Sequence, residues 1–493
     1  MPTAQPQDSS GMSELETDDE TAELLRGHNR DDLEVESRSP RGSGMGRRPE
    51  SVEHSTGTQR LKHLEHRSPR ESLSSWQDLI DTHFSQGSIR GSVINLASAT
   101  LGAGALSIPF AMQGLGVGLG AFMMAACASV TMFSIHLLVR TRDETGLSSY
   151  EEVTFALFGR GAGLFVEFNI VIFCCGSGVA YCKTLRDFLS PIIDLSTSGD
   201  VYLEHKAMVA VWLCVILPLS MSKSMNALRF TSAYGVFAIM YLGFAVLLHT
   251  GQAIASGAVV PSWGNVNLWV NPDPMAIILC LPILMFAFTC QVNVFSIFDE
   301  LQRASTPRMS KVALRSISCC LFLYLVIGAS GFLEFGTGTC GNILNNYRDE
   351  FLSGKFLPIS MYLAIGSSIL TSIPLIVYPV RMTIDNMILR SYPPAAWRHY
   401  FLTVLLSGGF MAVSMLVPHI NTVFQLIGGS SSAFICWVLP ALFAIRLDIH
   451  SGNPVPRAGI YLLAIGGVIT GVVSTAVTLW DIYHPSDNPI AGC

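Results

Sequence analysis

The sequence predicts an all-α polytopic membrane protein with eleven transmembrane helices, and three observations carry that reading. Half of the 493 residues are hydrophobic and 13% are charged, where a soluble protein carries roughly a quarter charged residues. Apolar runs of about 20 residues recur along the chain, the length needed to cross ~30 Å of hydrocarbon. Lysine and arginine gather in alternate connecting loops, as multi-span insertion requires.

Residues 1–87 differ in kind from the rest. They hold 17 acids and 10 bases, against 19 and 20 in residues 88–493. The segment has no long apolar run and is rich in Ser, Glu, Asp, Arg and Gly. It cannot bury enough apolar surface to offset the entropy of ordering, which predicts a disordered cytoplasmic tail at 1–87 and a transmembrane domain at 88–493. It does not read as a signal peptide, because no apolar stretch follows a basic start. The spans are expected at 90–114, 117–139, 162–192, 207–222, 229–255, 274–298, 311–336, 356–382, 399–418, 421–446 and 457–481. The third is long enough to tilt or protrude.

Orientation follows from the basic residues. With the N-terminus cytoplasmic, the inner loops hold 14: Arg140, Arg142, Arg160, Lys223, Arg229, Arg303, Arg308, Lys311, Arg315, Arg381, Arg390, Arg398, Arg446 and Arg457. The outer loops and helix ends hold five: Lys183, Arg186, Lys206, Arg348 and Lys355. That asymmetry predicts an inside N-terminus, an outside C-terminus and an odd number of spans. Ten of the 12 cysteines lie in apolar runs, where a thiol behaves as a small hydrophobe. Cys340 and Cys493 are placed in loops and are free to pair with each other. No Asn-x-Ser/Thr acceptor occurs. There is no Walker A motif, metal-ligand cluster or nucleophile–base pattern, so the expectation is no enzyme, no bound metal or cofactor, no nucleic-acid partner and no direct use of ATP.

The first span contains "ATLGAGALSIPFA", residues 99–111. Two glycines and a proline in so short a stretch predict a break in the helix. A break frees backbone N–H and C=O groups that lipid cannot satisfy, so it is tolerated only where it lines a cavity or packs on protein. Secondary transporters bind substrate at such breaks, with a half-helix N-terminus toward an anionic group and loose carbonyls toward cations. Gly102 and Gly104 would admit a ligand closely, and Pro109 suits the first turn of the second half-helix. Close helix packing through small residues accounts for the same stretch. The sixth span reads "PILMFAFTCQVNVFSIFDEL", residues 282–301, with Thr289, Gln291 and Asn293 interrupting the apolar run. Polar side chains at that depth face a bundle interior or a pathway. The two interrupted spans are five apart, the spacing of an inverted repeat of five helices.

Taken together, these residues resemble the amino acid/auxin permease family, which includes sodium-coupled neutral amino acid transporters and protozoan amino acid permeases. The resemblance covers residues 88–493. "GAGALSIPFA" is similar to the family's G-x-G-x-L-x-x-P signature. "GSGVAYCKTLRDFL", 176–189, matches its third-helix segment through Gly176 and Tyr181. "FAFTCQVNVFSIFDEL" resembles its sixth-helix pattern, and "SIPLIVYPVR" and "IGGSSSAFICWVLPALF" its eighth and tenth. The resemblance implies a LeuT-like fold, a 5+5 inverted repeat with broken helices one and six, and amino acid transport by alternating access. It implies that the substrate's carboxylate and amino groups meet the backbone at Thr100, Leu101, Gly102, Ala103 and Gly104, with Phe286, Thr289 and Cys290 opposite. Phe286 is equally explained by lipid or core packing, and Thr289 by a bond to its own helix.

Two departures bear on coupling. Ser98 stands where the sodium-coupled branch has an asparagine, and Gln291 where it has a histidine. Ser372 and Thr371 keep hydroxyls on the eighth helix. A proton or the membrane potential is therefore expected to drive transport rather than sodium. Among intramembrane acids, Glu167 is able to relay a proton, hold a substrate ammonium, or pair with Arg160. Glu334 looks isolated near the outer end of the seventh span. Asp299, Glu300 and Asp385 (near Arg381) read as ion pairs at the cytoplasmic end. In the tail, "ETAELL" resembles an acidic dileucine signal for sorting adaptors, and Ser39 and Ser68 in two "RSPR" repeats are available to kinases. The expected site of action is the plasma membrane, with the endolysosomal membrane as alternative. An amino-acid-sensing receptor signalling through the tail and an ion channel are the rival readings. The choice among cationic, neutral and proline-like substrates is open.

Overall fold

The computed structural model describes residues 87–197, 201–221, 229–257, 269–271, 273–389, 396–450, 452 and 454–484. The tail, with "ETAELL", Ser39 and Ser68, lies outside them, as does Cys493. The described elements are helical throughout, with no strand among the described residues. Among the described residues, ten helices are long and apolar enough to span a bilayer. Counting the bent pair Ile89–Thr100 and Ala103–Leu115 as one span makes eleven.

The first predicted span is two helices, α1 (Ile89–Thr100) and α2 (Ile108–Leu115). Ser88 caps α1 by accepting from the Gly91 amide at 3.1 Å, and Pro109 sits in the first turn of α2. A 3₁₀ turn at Ala103–Ser107 joins them with a bend of 52°. α3 (Val117–Thr145) ends at Gly146, whose φ of +73° suits glycine. A helix missed by the hydropathy reading follows, α4 (Tyr150–Phe158). It is too short to span, and Ser149 caps it through the Glu152 amide. α5 (Arg160–Thr197) is the long third span. α6 (Val201–Val211) continues through a π-turn at Trp212–Ile216 to Ser220, and α7 is Arg229–Ala255.

The sixth span is also split, into α8 (Pro274–Ala287) and α9 (Val294–Glu300), with Phe288–Asn293 between. α10 (Thr306–Phe335) precedes two short helices in the following loop, α11 (Ile343–Asn346) and α12 (Arg348–Leu352). α13 (Phe356–Leu389), α14 (Ala396–Leu416), α15 (Ile420–Ile427), α16 (Leu439–Arg446) and α17 (Pro454–Tyr483) complete the bundle. Two π-turns, Gly428–Ser432 and Phe434–Val438, link α15 to α16.

The core forms where α1, α2 and α8 are enclosed by α3, α5, α10 and α15. Glycines let backbones approach there. A Cβ on Gly328 of α10 would lie 2.8 Å from Ile108, and one on Gly331 2.9 Å from Pro109. The outward faces carry large exposed apolar side chains, among them Phe122, Phe244, Leu462 and Val472, as a lipid-facing surface requires.

Of three expectations about charges, one stands and two are refined. Asp299 pairs with Arg142 at 3.1 Å, as expected of an end-of-helix acid. Asp385 pairs with Arg398 at 2.7 Å, not with Arg381. Arg381 is buried and donates instead to the Ser220 carbonyl and the Thr403 hydroxyl. Glu334 is not isolated: it bonds His249, Thr250 and Tyr347. Among the described residues ten cysteines are free and Cys340 is disulfide-bonded.

Candidate functional site

The two breaks face each other. In a continuous helix the Thr100 carbonyl would accept from the residue 104 amide, and the Ala287 carbonyl from residue 291. Both bonds are lost at the breaks, and one group replaces them. The Tyr324 hydroxyl of α10 lies 2.8 Å from the Thr100 carbonyl oxygen and 2.9 Å from that of Ala287. A phenol has one proton to donate, so two acceptors compete for it. The pair of carbonyls is thus suited to a further donor, such as an ammonium.

Tyr324 is the last of three α10 donors, spaced four apart, that follow α1 into its break. Ser316 donates to the Val93 carbonyl at 2.9 Å, Cys320 to Ala97 at 3.9 Å, and Tyr324 to Thr100. Such spacing puts them on one helix face. Phe288 packs edge-on against the Tyr324 ring at 5.2 Å and fixes it.

On the other side of the break, the Tyr181 hydroxyl of α5 meets the Ala103 backbone. Gly102 is extended, with φ −129° and ψ −154°, and a Cβ there would overlap the Tyr181 hydroxyl oxygen. Alanine at 102 is therefore expected to reduce transport sharply, about tenfold or more if the crowding costs more than ~1.4 kcal/mol. The next atom of Tyr181 would lie 3.4 Å away, at ordinary contact. Adding Tyr181→Phe removes only the crowded oxygen, and uptake by the double variant should exceed that of Gly102→Ala alone. Uptake assays normalised to surface protein check this.

The structure brings most of the expected residues together. Thr100, Leu101, Ala103 and Gly104 are buried at the break and Gly102 is partly open. Gly104 does not face open space: a Cβ on it would lie 3.1 Å from the Ala287 Cα. Thr289 and Cys290 are buried across from it. The Thr289 hydroxyl donates to its own helix at the Met285 carbonyl, 2.8 Å away, and accepts from the Cys436 thiol at 3.5 Å. Phe286 stacks on Phe424 of α15 with centroids 4.6 Å apart and tilts against Phe173 at 6.0 Å, forming an aromatic wall.

Gln291 is fully buried at the second break. Its Oε1 accepts from the Cys290 amide at 2.9 Å, capping a strand of freed backbone. Its Nε2 has no hydrogen-bond partner among the described residues. A buried amide donor without an acceptor costs free energy, so this group is available to a ligand.

The ion-coupling candidates fall into separate groups. Ser98 on α1 and Ser368 on α13 both approach Gly235 of α7, whose Cβ would lie 3.9 Å and 3.4 Å from their hydroxyl oxygens. Thr371 and Ser372 each donate to the Ser368 carbonyl at 2.8 Å. Glu167 is half-buried on α5. Tyr324, Tyr181 and Phe424 escaped the sequence reading as site residues. The signal for Tyr324 was present, because a tyrosine in a run like "CCLFLYLVIG" needs a polar partner inside a membrane.

The family model described as "Transmembrane amino acid transporter protein" matches residues 85–484. Sodium-coupled neutral amino acid symporter 2 of Danio rerio is 25% identical over 417 residues, covering 80% of this chain and 82% of that protein. Vacuolar amino acid transporter 5 of Schizosaccharomyces pombe is 28% identical over 422 residues, covering 82% and 97%. Among solved structures, a histidine-to-alanine mutant of the Eremococcus coleocola manganese transporter superposes with a TM-score of 0.50 at 14% identity. It covers 81% of this chain and 88% of that one, a likeness of fold.

Proposed function

We propose, from the premise that this chain belongs to the transmembrane amino acid transporter family, that it carries an amino acid through the paired breaks by alternating access. The observation that supports this most is the Tyr324 hydroxyl shared between the Thr100 and Ala287 carbonyls. A zwitterion needs donors at one end and acceptors at the other. The shared carbonyls offer acceptors to the ammonium. The start of the 3₁₀ turn at Ala103 and the Gln291 amide offer donors to the carboxylate. The Phe286–Phe424 stack closes the side-chain end.

The relatives' names point to two settings, a sodium-coupled symporter and a vacuolar transporter. We place this protein in the plasma membrane, N-terminus inside, driven by a proton gradient or the membrane potential. The basic-residue asymmetry supports the orientation, and Ser98 in place of an asparagine supports the sodium independence. Residues 1–87 form the cytoplasmic tail in this reading.

The test is flux in liposomes that contain only this protein. Labelled amino acids should enter and exchange with unlabelled substrate inside, and a competition panel of the common amino acids ranks the substrates. An amino-acid-sensing receptor gives no flux, and a channel gives no accelerated exchange. Either result rejects the transport reading.

A further inference from the structure

We propose that Glu334, His249 and Glu350 form a proton-binding clasp that holds residues 343–352 onto the bundle, and that the coupling proton is taken up there. The second half of that statement rests on the transport reading above.

The three groups come from three elements: His249 from α7, Glu334 from α10 and Glu350 from α12. His249 Nδ1 lies 2.6 Å from Glu334 Oε1, and Nε2 lies 2.6 Å from Glu350 Oε2. Glu334 is buried, and its other oxygen accepts from the Thr250 hydroxyl at 2.8 Å and the Tyr347 hydroxyl at 3.0 Å. Lys355 holds the other Glu350 oxygen at 2.8 Å. Tyr347 also packs edge-on against the His249 ring at 5.0 Å. The titratable groups facing His249 are thus Glu334 from α10 and Glu350 and Tyr347 from the loop, with Lys355 behind Glu350.

The proton count follows from the distances. A neutral imidazole carries one N–H and one lone pair. Here both ring nitrogens face carboxylate oxygens at 2.6 Å. The contact with Glu334 is a hydrogen bond, whereas Glu350 Oε2 is close but has no hydrogen-bond partner among the described residues. Two carboxylates this near nevertheless favour the imidazolium, with a proton on each ring nitrogen. The docked clasp therefore holds one proton more than a neutral histidine with two carboxylates. If α12 lifts away, Glu350 reaches water and His249 needs only the N–H toward Glu334. The extra proton is then held by one carboxylate instead of two and leaves more readily.

The sign is set by linkage. The docked state binds the extra proton, so docking strengthens as pH falls and weakens as pH rises, by up to about tenfold per pH unit between the two states' titrations. The acid limit is set by Glu350. Its partial burial favours the neutral carboxyl, but Lys355 and His249 outweigh that and hold it below the usual carboxylate range. The clasp thus stays charged into mildly acid conditions. Burial and the neighbouring Glu334 push the Tyr347 hydroxyl far up, which keeps it a donor.

Docking of this loop bears on the transport path. The Gly341 carbonyl accepts from Ser107, at the start of α2, at 2.6 Å. The Thr337 carbonyl accepts from Gln113 at 2.7 Å, and Asn342 donates to Asp187 of α5 at 3.1 Å. The loop therefore covers the half-helix that follows the first break, and proton uptake at the clasp would accompany closure of that face.

The experiment is hydrogen–deuterium exchange of residues 341–355 in the purified full-length protein in lipid nanodiscs, at about pH 6 and about pH 8.5. Rates are corrected for the intrinsic pH dependence of amide exchange. The wild type is expected to lose about tenfold or more of its protection at the higher pH. His249→Gln and Glu350→Gln should each remove that pH response. Glu350 lies in the loop, so its variant is informative even if His249→Gln folds poorly. Equal protection at both pH values in the wild type overturns the clasp. Proton-driven uptake that survives His249→Gln and Glu350→Gln in proteoliposomes overturns the coupling role. An absence of any amino acid flux in the wild type instead defeats the transport reading, while the exchange data still judge the clasp.

Discussion

Valine at position 104 is expected to leave the protein folded and delivered to the membrane, yet to cut uptake to about a hundredth of wild type or less. Gly104 is where the two broken spans touch. A Cβ there would lie 3.1 Å from the Ala287 Cα, 3.3 Å from its Cβ and 3.4 Å from a Phe286 ring carbon. Ordinary carbon contacts sit at about 3.5–4.0 Å, and valine adds two methyls beyond the Cβ. The spans must part to admit it, which draws the Thr100 and Ala287 carbonyls away from the single hydroxyl that joins them. Overpacking of this kind costs ~1–3 kcal/mol, too little to unfold a large bundle but enough to spoil a site built from two opposed backbones. The sequence reading expected the side chain to fill the ligand's space; the structure makes it a wedge between the spans. Gly104→Ala should show a smaller loss. Surface labelling and gel filtration of each variant, set beside its uptake, make the check. Normal uptake in a well-expressed valine variant would refute this placement of the site.

The architecture was legible because membrane depth imposes a crude code. A run of ~20 apolar residues has few alternatives to a spanning helix. Each expected span has a helical counterpart, including the long third one. The first break was legible for a similar reason: glycines and proline at depth need a protein environment. What escaped was non-local. Tyr324 reaches Thr100 across 224 positions and His249 reaches Glu334 across 85. No local pattern announces such partners. Glu334 looked isolated because its three partners come from α7 and from Tyr347, in a loop between two helices too short to register as spans. α4, α11 and α12 were missed because hydropathy scans for long apolar runs, and these helices have nine residues or fewer. Thr289 shows the opposite limit. Its type suggested a ligand without saying that its proton would go to its own helix at Met285, leaving only its lone pairs to a partner.

Uptake is expected to persist when sodium is replaced by choline, and to respond to a proton gradient or to membrane potential. A sodium site needs several oxygens free to turn toward the ion. Ser98 and Ser368 offer hydroxyls on either side of Gly235. The Ser368 carbonyl, which would otherwise be a strong ligand, already accepts from both Thr371 and Ser372 at 2.8 Å. Those two hydroxyls keep lone pairs, but their protons are committed and their orientation with them. An asparagine at 98 would bring an amide oxygen further into this space than serine's hydroxyl reaches. Losing one well-oriented oxygen weakens a cation by ~1.4 kcal/mol, about tenfold. Ser98→Asn is therefore the informative gain-of-function variant, expected to show sodium stimulation absent from the wild type. Proteoliposomes given sodium, proton or potassium-diffusion gradients one at a time separate the drives. Uptake in the wild type under a sodium gradient alone would overturn the prediction and return Ser98 to the role of ligand. Under a proton gradient two acidic sites compete for the proton. Glu167→Gln should uncouple uptake if α5 carries it, whereas His249→Gln should do so if the clasp does. The clasp holds the loop that bonds Ser107 at the start of α2. The geometry therefore favours loss in the His249 variant, because the clasp connects a change of charge to a loop that covers the first break.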